Sequence, residues 1–220
     1  MENSSHKNFT GVLYKFLKED QKIPTIWNNF HFIENIHEEA SNWHNITIRS
    51  EKPLIREDMG STNPHFFYKF LLRSSSNGKR FLLLSTHEEL VGIFLELVKW
   101  RNYVQPANIK VYNLVKELTE KPDRYCLGIV YARVDGYGRS LRTISLYGAD
   151  LAEAQLFRDI LPKLVPFRTQ LREVRTGSEI LQVSFKGEVS FSYNNTNSLI
   201  EVDQALHFLT THGFLIWEQG

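Results

Sequence analysis

Arginine, the side chain best suited to bind phosphate or carboxylate, is concentrated in one quarter of the chain. Residues 121–175 contain eight of the 13 arginines, together with two lysines and six acidic residues. The planar guanidinium group donates paired hydrogen bonds to an anion, which a lysine does not do. This stretch therefore predicts a surface that contacts a negatively charged partner.

One loop in this quarter combines arginine with an aromatic residue. The segment VDGYGRSLRTISLYGAD, residues 134–150, has apolar residues on both sides of a polar loop with two glycines. Asp-Gly and glycine are typical of a turn between two strands, and tyrosine beside arginine can stack on a base while arginine binds phosphate. Spacing also places Arg168 and Arg172 on one face of a predicted strand. The predicted contact residues are Arg133, Tyr137, Arg139, Arg142, Arg168 and Arg172.

Three interpretations of these residues remain open. The first is that these residues bind no partner, because exposed strands and loops carry charged side chains in any protein. Protein interfaces are enriched in tyrosine and arginine, which suits an acidic protein partner. The same side chains suit the phosphates of a nucleic acid, whose binding would weaken strongly with salt.

Metal and cofactor motifs are weak. Glu34, His37 and Glu38 would share one face if residues around them formed a helix, but a carboxylate-bridged two-metal site needs the Glu-x-x-His pattern twice, and here it occurs once. The glycines of GYGRSL lead into a predicted strand, so no helix would receive a dinucleotide phosphate, and no phosphate-binding loop of the Gly-x-x-x-x-Gly-Lys-Ser/Thr type occurs. We therefore predict neither a metal nor a cofactor.

Catalytic motifs are also missing from the sequence. It contains no Gly-x-Ser-x-Gly, and Cys126 lies in an apolar segment, where a thiol usually fills space. A restriction-type nuclease would carry an Asp on one strand and Glu-x-Lys on the next, and this arrangement is not found. The sequence favours a non-catalytic protein, with an enzyme whose site is dispersed along the chain as an alternative.

Length and composition are typical of a folded globular protein. The chain has 220 residues, 42% hydrophobic content and a net charge of +1, and it is rich in aromatic residues. A single cysteine permits no internal disulfide and suggests a reducing compartment, so we expect a cytoplasmic protein. No apolar run is long enough to cross a bilayer, and we expect no membrane partner.

The secondary-structure signals predict an α+β protein with antiparallel sheets and interleaved helices. Helices are predicted over residues 9–17, around 33–43, and at EELVGIFLELV, NIKVYNLVKELTE, DLAEAQLFRDIL and SLIEVDQALHFL. Strands with short turns between them predict a hairpin at HFFYKFLLRSSSNGKRFLLLST and a meander over 167–193. We expect a helix and hairpin unit at 1–120 and a strand-rich unit with a C-terminal helix at 121–220, or both combined in one compact domain.

The end of the chain has a helix, a glycine and an apolar strand, the order in which a winged helix forms its wing. Residues 199–213 contain no lysine or arginine, whereas a DNA-reading helix would expose them. A winged-helix-like unit here would serve protein contacts.

These observations predict a non-catalytic interaction protein, a subunit of a larger intracellular assembly with protein partners. The alternative is a nucleic-acid-binding protein that contacts phosphates through the arginine-rich 124–175 region. An accessory subunit of a bacterial genome-defence or chromosome-handling complex would fit both interpretations.

Overall fold

A computed structural model describes residues 7–17, 26–28, 31–40, 42–75, 79–121, 124–134 and 143–217. Its strands are β1 Lys7–Phe16, β2 Ile26–Asn28, β3 His31–Ala40, β4 Trp43–Ser50, β5 Phe66–Ser74, β6 Arg80–Ser85, β7 Val104–Ile109, β8 Tyr125–Val134, β9 Ile144–Tyr147, β10 Leu164–Glu173, β11 Glu179–Ser184, β12 Glu188–Tyr193 and β13 Leu215–Trp217. Its helices are α1 Glu88–Leu97, α2 Val111–Glu120, α3 Gln155–Ile160 and α4 Thr196–Thr211.

The strands form one open, antiparallel sheet. The order across it is β2-β3-β4-β5-β6-β1-β12-β11-β10-β8-β9, and β7 pairs with both β1 and β13. Each pairing is antiparallel. This confirms the predicted α+β class with antiparallel strands. None of the helices in the described ranges is long and apolar enough to cross a membrane.

Two hydrophobic cores lie on opposite faces of the sheet. Helix α1 covers β4–β6 on one face, with a core that includes Phe70, Phe81 and Phe94. Helices α2 and α4 cover the other face, where Leu127 and Leu206 are buried. Strand β1 lies between β6 and β12, so the sheet runs through both predicted units. The division at residue 120 stays a prediction.

The first predicted helix was wrong, because residues 7–16 form β1 in the middle of the sheet. Phe9 and Leu13 face the core under α4, while Tyr14 and Phe16 pack against the core under α1. A central strand that is apolar on both faces places hydrophobic residues at spacings that also occur in a helix.

The second predicted helix was also wrong, since residues 31–40 form β3, which pairs with β4. Glu34, His37 and Glu38 are exposed on this strand. The helical spacing that suggested a metal site therefore does not exist. Among the residues that the structure describes, no three His, Cys, Asp or Glu side chains are grouped to hold a metal ion.

The third departure concerns the helix predicted at NIKVYNLVKELTE, whose first residues, Asn108 and Ile109, belong to a strand. Residues 104–109 form β7, in which Pro106 lies opposite Tyr14 of β1, and the helix α2 begins only at Val111.

The helix predicted at DLAEAQLFRDIL is shorter in the structure. Asp150 accepts a hydrogen bond from the Ala152 amide at 2.9 Å and so caps a short 3-10 turn, and α3 begins after this turn at Gln155.

The C-terminal elements follow the prediction. The meander β10–β12 has turns in which Gly177 and Gly187 adopt φ of +67° and +74°. Helix α4 begins after Asn195, whose side chain accepts from the Ser198 amide at 3.2 Å. Gly213, with φ of +69°, follows its end, and β13 then pairs with β7. This pairing does not confirm the winged-helix interpretation.

Candidate interaction surface

The described part of the arginine-rich quarter contributes to a face of the sheet that is covered by none of the described α-helices. In β8, Tyr125, Leu127, Val130 and Ala132 point into the core beneath α2 and α4. In β10, Thr169 and Leu171 are fully buried on that same side. Leu127 and Val130 share this side because the register of β8 with β10 shifts between them. Ile129, Tyr131 and Arg133, which alternate with Val130 and Ala132, point the other way. We call this opposite face of β8, β9 and β10 the open face.

Three of the six predicted contact residues lie on the open face. Arg133 is exposed near the end of β8, and Arg168 and Arg172 lie on β10 with Thr169 and Leu171 buried between them. Arg168 is directly opposite Tyr131 in the pairing of β10 with β8. The structure thus brings Arg133, Arg168 and Arg172 to one face of two neighbouring strands. Tyr137, Arg139 and Arg142 lie outside the described residues.

The other described arginines of this quarter are not part of the open face. Arg124 hydrogen-bonds to Gln204 of α4 and lies 3.6 Å from Glu173. The Nε of Arg158 donates to the carbonyl of Ala152 at 2.6 Å. The arginines clustered in the sequence therefore divide among different surfaces.

Two of the open-face arginines already have acidic partners. Nη2 of Arg168 donates to Oε2 of Glu188 at 2.8 Å, and Nη2 of Arg172 donates to Oε1 of Glu179 at 2.9 Å. Within the ranges that the structure describes, Arg133 makes no ion pair. The positive charge of the open face is therefore least compensated at Arg133.

The carboxylate of Glu188 is held in its charged form. Burial alone would raise the pKa of Glu188, but hydrogen bonds from Ser184 and Arg168 and the charges of Arg168 and Lys186 outweigh it and lower the pKa. Ser184 Oγ and Arg168 Nη2 both lie 2.8 Å from the same oxygen, Oε2. The pair formed by Arg168 and Glu188 therefore persists at neutral pH.

A glycine lets the Arg172 side chain lie across β8. A Cβ atom at Gly128 would come within 2.6 Å of Nε of Arg172 and within 2.8 Å of Oε1 of Gln170. Arg172 crosses this position to reach the carbonyl of Gly148 at 3.4 Å. The close approach holds Arg172 against the sheet, with its side chain only 25% exposed.

Aromatic and aliphatic side chains on the open face were not among the predicted contact residues. Tyr147 of β9 is 65% exposed, and Val165 of β10 is 49% exposed. The rings of Tyr131 and Tyr147 meet edge to face with centroids 6.4 Å apart. Alternation in CLGIVYARV could have placed Tyr131 on this face, whereas its proximity to Tyr147 depends on strand register.

Cys126 behaves as filling, as the sequence predicted for a thiol in an apolar strand. Its side chain is buried, and Sγ lies 3.8 Å from the carbonyl oxygen of Ala149. Burial, together with the nearby Asp150 carboxylate, raises the pKa of the Cys126 thiol. A raised pKa disfavours the thiolate that a nucleophile would need.

The open face combines two tyrosines in contact, an exposed valine and Arg133, which forms no ion pair with any residue that the structure describes. This arrangement provides area for contact and one positive charge, and the described residues around it include no nucleophile paired with a base. The chain matches no protein-family model, and no curated protein matches it significantly. A function can therefore be inferred only from the geometry of the described residues.

Proposed function

We propose that this protein is a non-catalytic interaction subunit that binds an acidic segment of a protein partner through the open face. The observation that carries the proposal is the exposed contact of Tyr147 with Tyr131, beside Arg133 on a sheet face that no described helix covers. Tyrosine and arginine are the side chains most often found at the centre of protein interfaces.

Rigidity supports the proposal. Tyr131 and Ser145 lie opposite each other in the pairing of β8 with β9, and Arg133 lies opposite Val165 in the pairing of β8 with β10. Strand pairing fixes the backbone positions of these residues, so no loop has to be ordered for them to contact a partner.

Charge favours an acidic protein over a nucleic acid as the partner. A surface that binds a phosphate backbone uses several free arginines or lysines. On the open face, Arg168 and Arg172 are paired with Glu188 and Glu179, which leaves Arg133 as the cation best placed for a partner's carboxylate. Binding to nucleic acid remains the second candidate, because Arg139 and Arg142 follow Arg133 closely in the sequence.

The proposal includes a cytoplasmic setting, which rests on the single, buried cysteine. A role in a bacterial genome-defence or chromosome-handling complex is a narrower form of the same proposal, and no described residue specifies it.

To test the proposal, the tagged protein is used to capture its partners from cells, with and without nuclease treatment. The captured molecules are then compared between the wild type and the variants. We expect a protein partner that survives nuclease, is lost with the double variant Tyr147→Ala and Arg133→Glu, and is retained by Tyr112→Ala. Tyr112 is the matched control, because it is 43% exposed but lies on α2. Nucleic acid in the eluate that is lost with the double variant would contradict the proposal and support the second candidate.

A further inference from the structure

A cavity of about 360 Å³ lies on a different part of the molecule, between α4, β13 and strands β1, β5 and β6. Small-molecule sites typically have volumes of about 300–1,000 Å³, so a small ligand would fit. None of the residues that line this cavity belongs to the open face. Ligand binding in the cavity can therefore be tested independently of the proposed interaction surface.

The floor of the cavity is apolar. Leu13 of β1 is 5% exposed and Leu206 of α4 is 2% exposed, and Leu215 of β13 completes the floor. A floor of this kind can cover the hydrocarbon part of a ligand and gain free energy from the apolar area removed from water.

The walls of the cavity carry cationic and polar groups. Arg73, Arg80 and His207 line it, and its described lining residues include no carboxylate. Arg73 forms an ion pair with Asp203, which lies outside this cavity, and so its charge is compensated. The second arginine, Arg80, makes no ion pair with any residue in the described ranges.

Arg80 is held in place by an aromatic ring and not by a carboxylate. Its guanidinium carbon lies 5.3 Å from the centroid of the Trp217 ring. A cation–π contact orients the guanidinium plane without neutralising the charge, so the N–H groups at its edge can still donate to an anion.

We propose that this cavity binds a small organic anion, whose carboxylate or phosphate group is bound by Arg80 and whose apolar body lies on Leu13, Leu206 and Leu215. His207 also lines the cavity and supplies a further polar contact to the ligand. Arg73 acts as a positioning residue, since its ion pair with Asp203 holds the α4 wall against β5.

Isothermal titration with benzoate, phenyl phosphate and inorganic phosphate tests this inference. We expect benzoate or phenyl phosphate to bind with a dissociation constant below about 1 mM, and the tighter of the two identifies the anionic group. Inorganic phosphate lacks an apolar body and should bind more weakly. Removing the charged hydrogen bonds in Arg80→Ala should weaken binding about tenfold or more, and Arg80→Lys should give an intermediate loss.

Arg175→Ala is the matched control, because Arg175 is exposed and does not line the cavity. Its affinity for the same probe should equal that of the wild type. The inference is overturned if neither organic anion binds, if Arg80→Ala and Arg80→Lys both bind like the wild type, or if inorganic phosphate binds as tightly as phenyl phosphate. Thermal melting of each variant confirms that a loss of binding is not a loss of folding.

Discussion

Trp43 of β4 donates its indole N–H to Asp203 of α4 at 3.0 Å, although the two residues are 160 positions apart in the chain. Trp43 is fully buried, and its hydrogen bond meets the same Oδ1 atom that pairs with Arg73 of β5. A single carboxylate therefore fixes the C-terminal helix to the N-terminal strands. It also sets the position of the helix that forms one wall of the proposed anion site.

Replacing this carboxylate should destabilise the whole fold. Asp203→Ala leaves the buried indole N–H of Trp43 without an acceptor and Arg73 without its ion pair. We expect a loss of about 2 kcal/mol in the free energy of unfolding, the usual cost of an unsatisfied buried donor. Asp203→Asn keeps an acceptor oxygen and should lose less. Urea unfolding of the three proteins measures the difference, and equal stability of Asp203→Ala and wild type would show that the contact does not hold the helix.

Gly187, in the turn between β11 and β12, should be far less tolerant of substitution than Gly177. Both have positive φ, of +74° and +67°. A Cβ atom at Gly187 would lie 2.3 Å from the carbonyl oxygen of Ala107 in β7, whereas one at Gly177 would meet nothing within 4 Å.

Gly177→Ala should therefore cost about 1–2 kcal/mol of stability from backbone strain alone. Gly187→Ala should cost at least about 2 kcal/mol more, because the backbone of β7 must move. Thermal and urea unfolding of the two variants provide the comparison. A similar loss in both would mean that the turn does not pack against β7.

The contribution of Glu188 to stability should depend on pH. Its folded pKa is lowered, so its contribution is present above the unfolded value, which is about 4.3 for glutamate, and is lost as the pH falls through the folded value. Glu188→Gln should be less stable than wild type at pH 7 by a few tenths of a kcal/mol to about 1 kcal/mol, because the Arg168 side chain is 42% exposed and solvent screens the pair.

The difference in the free energy of unfolding between wild type and Glu188→Gln should become smaller as the pH is lowered below about 4.3. Urea unfolding at several pH values measures it. A gap that stays constant across this range would mean that the pair of Arg168 and Glu188 does not lower the pKa of the carboxylate.

Local patterns in the sequence predicted the elements whose faces differ in polarity. The second half of β10 and most of β12 alternate between buried and partly exposed residues, and α4 has a cap, an apolar stripe and a terminal glycine. The same reasoning failed for β1, since both of its faces are apolar, and for β3, since its exposed residues are charged. Strand pairing decided the structure in both cases, with the distant strands β6 and β12 for β1 and with the adjacent strand β4 for β3.

A repeated order of elements was also hidden in the sequence. The strands β3–β6 lead to α1 and β7, and the strands β8 and β10–β12 lead to α4 and β13, with β7 paired to β13.

The candidate surface was predictable in part. The spacing of Arg168 and Arg172 placed them on one strand face, but it gave no indication that Glu188 and Glu179 would pair with them. Glu179 lies on β11, next to β10, and Glu188 lies on β12, one strand further away, so both pairings depend on strand register. For the same reason the contact between Tyr131 and Tyr147 could not be read from local sequence.

If a protein partner contacts the open face, site-specific photo-crosslinking in cells should join the two proteins at that face. A benzophenone amino acid would replace Ser145, which is exposed on β9 opposite Tyr131, or Asn113, which is exposed on α2. We predict a crosslink to one protein from position 145, lost when Arg133→Glu is added, and none to that protein from position 113. A crosslink to the same partner from position 113 with none from position 145 would contradict the proposed interaction surface.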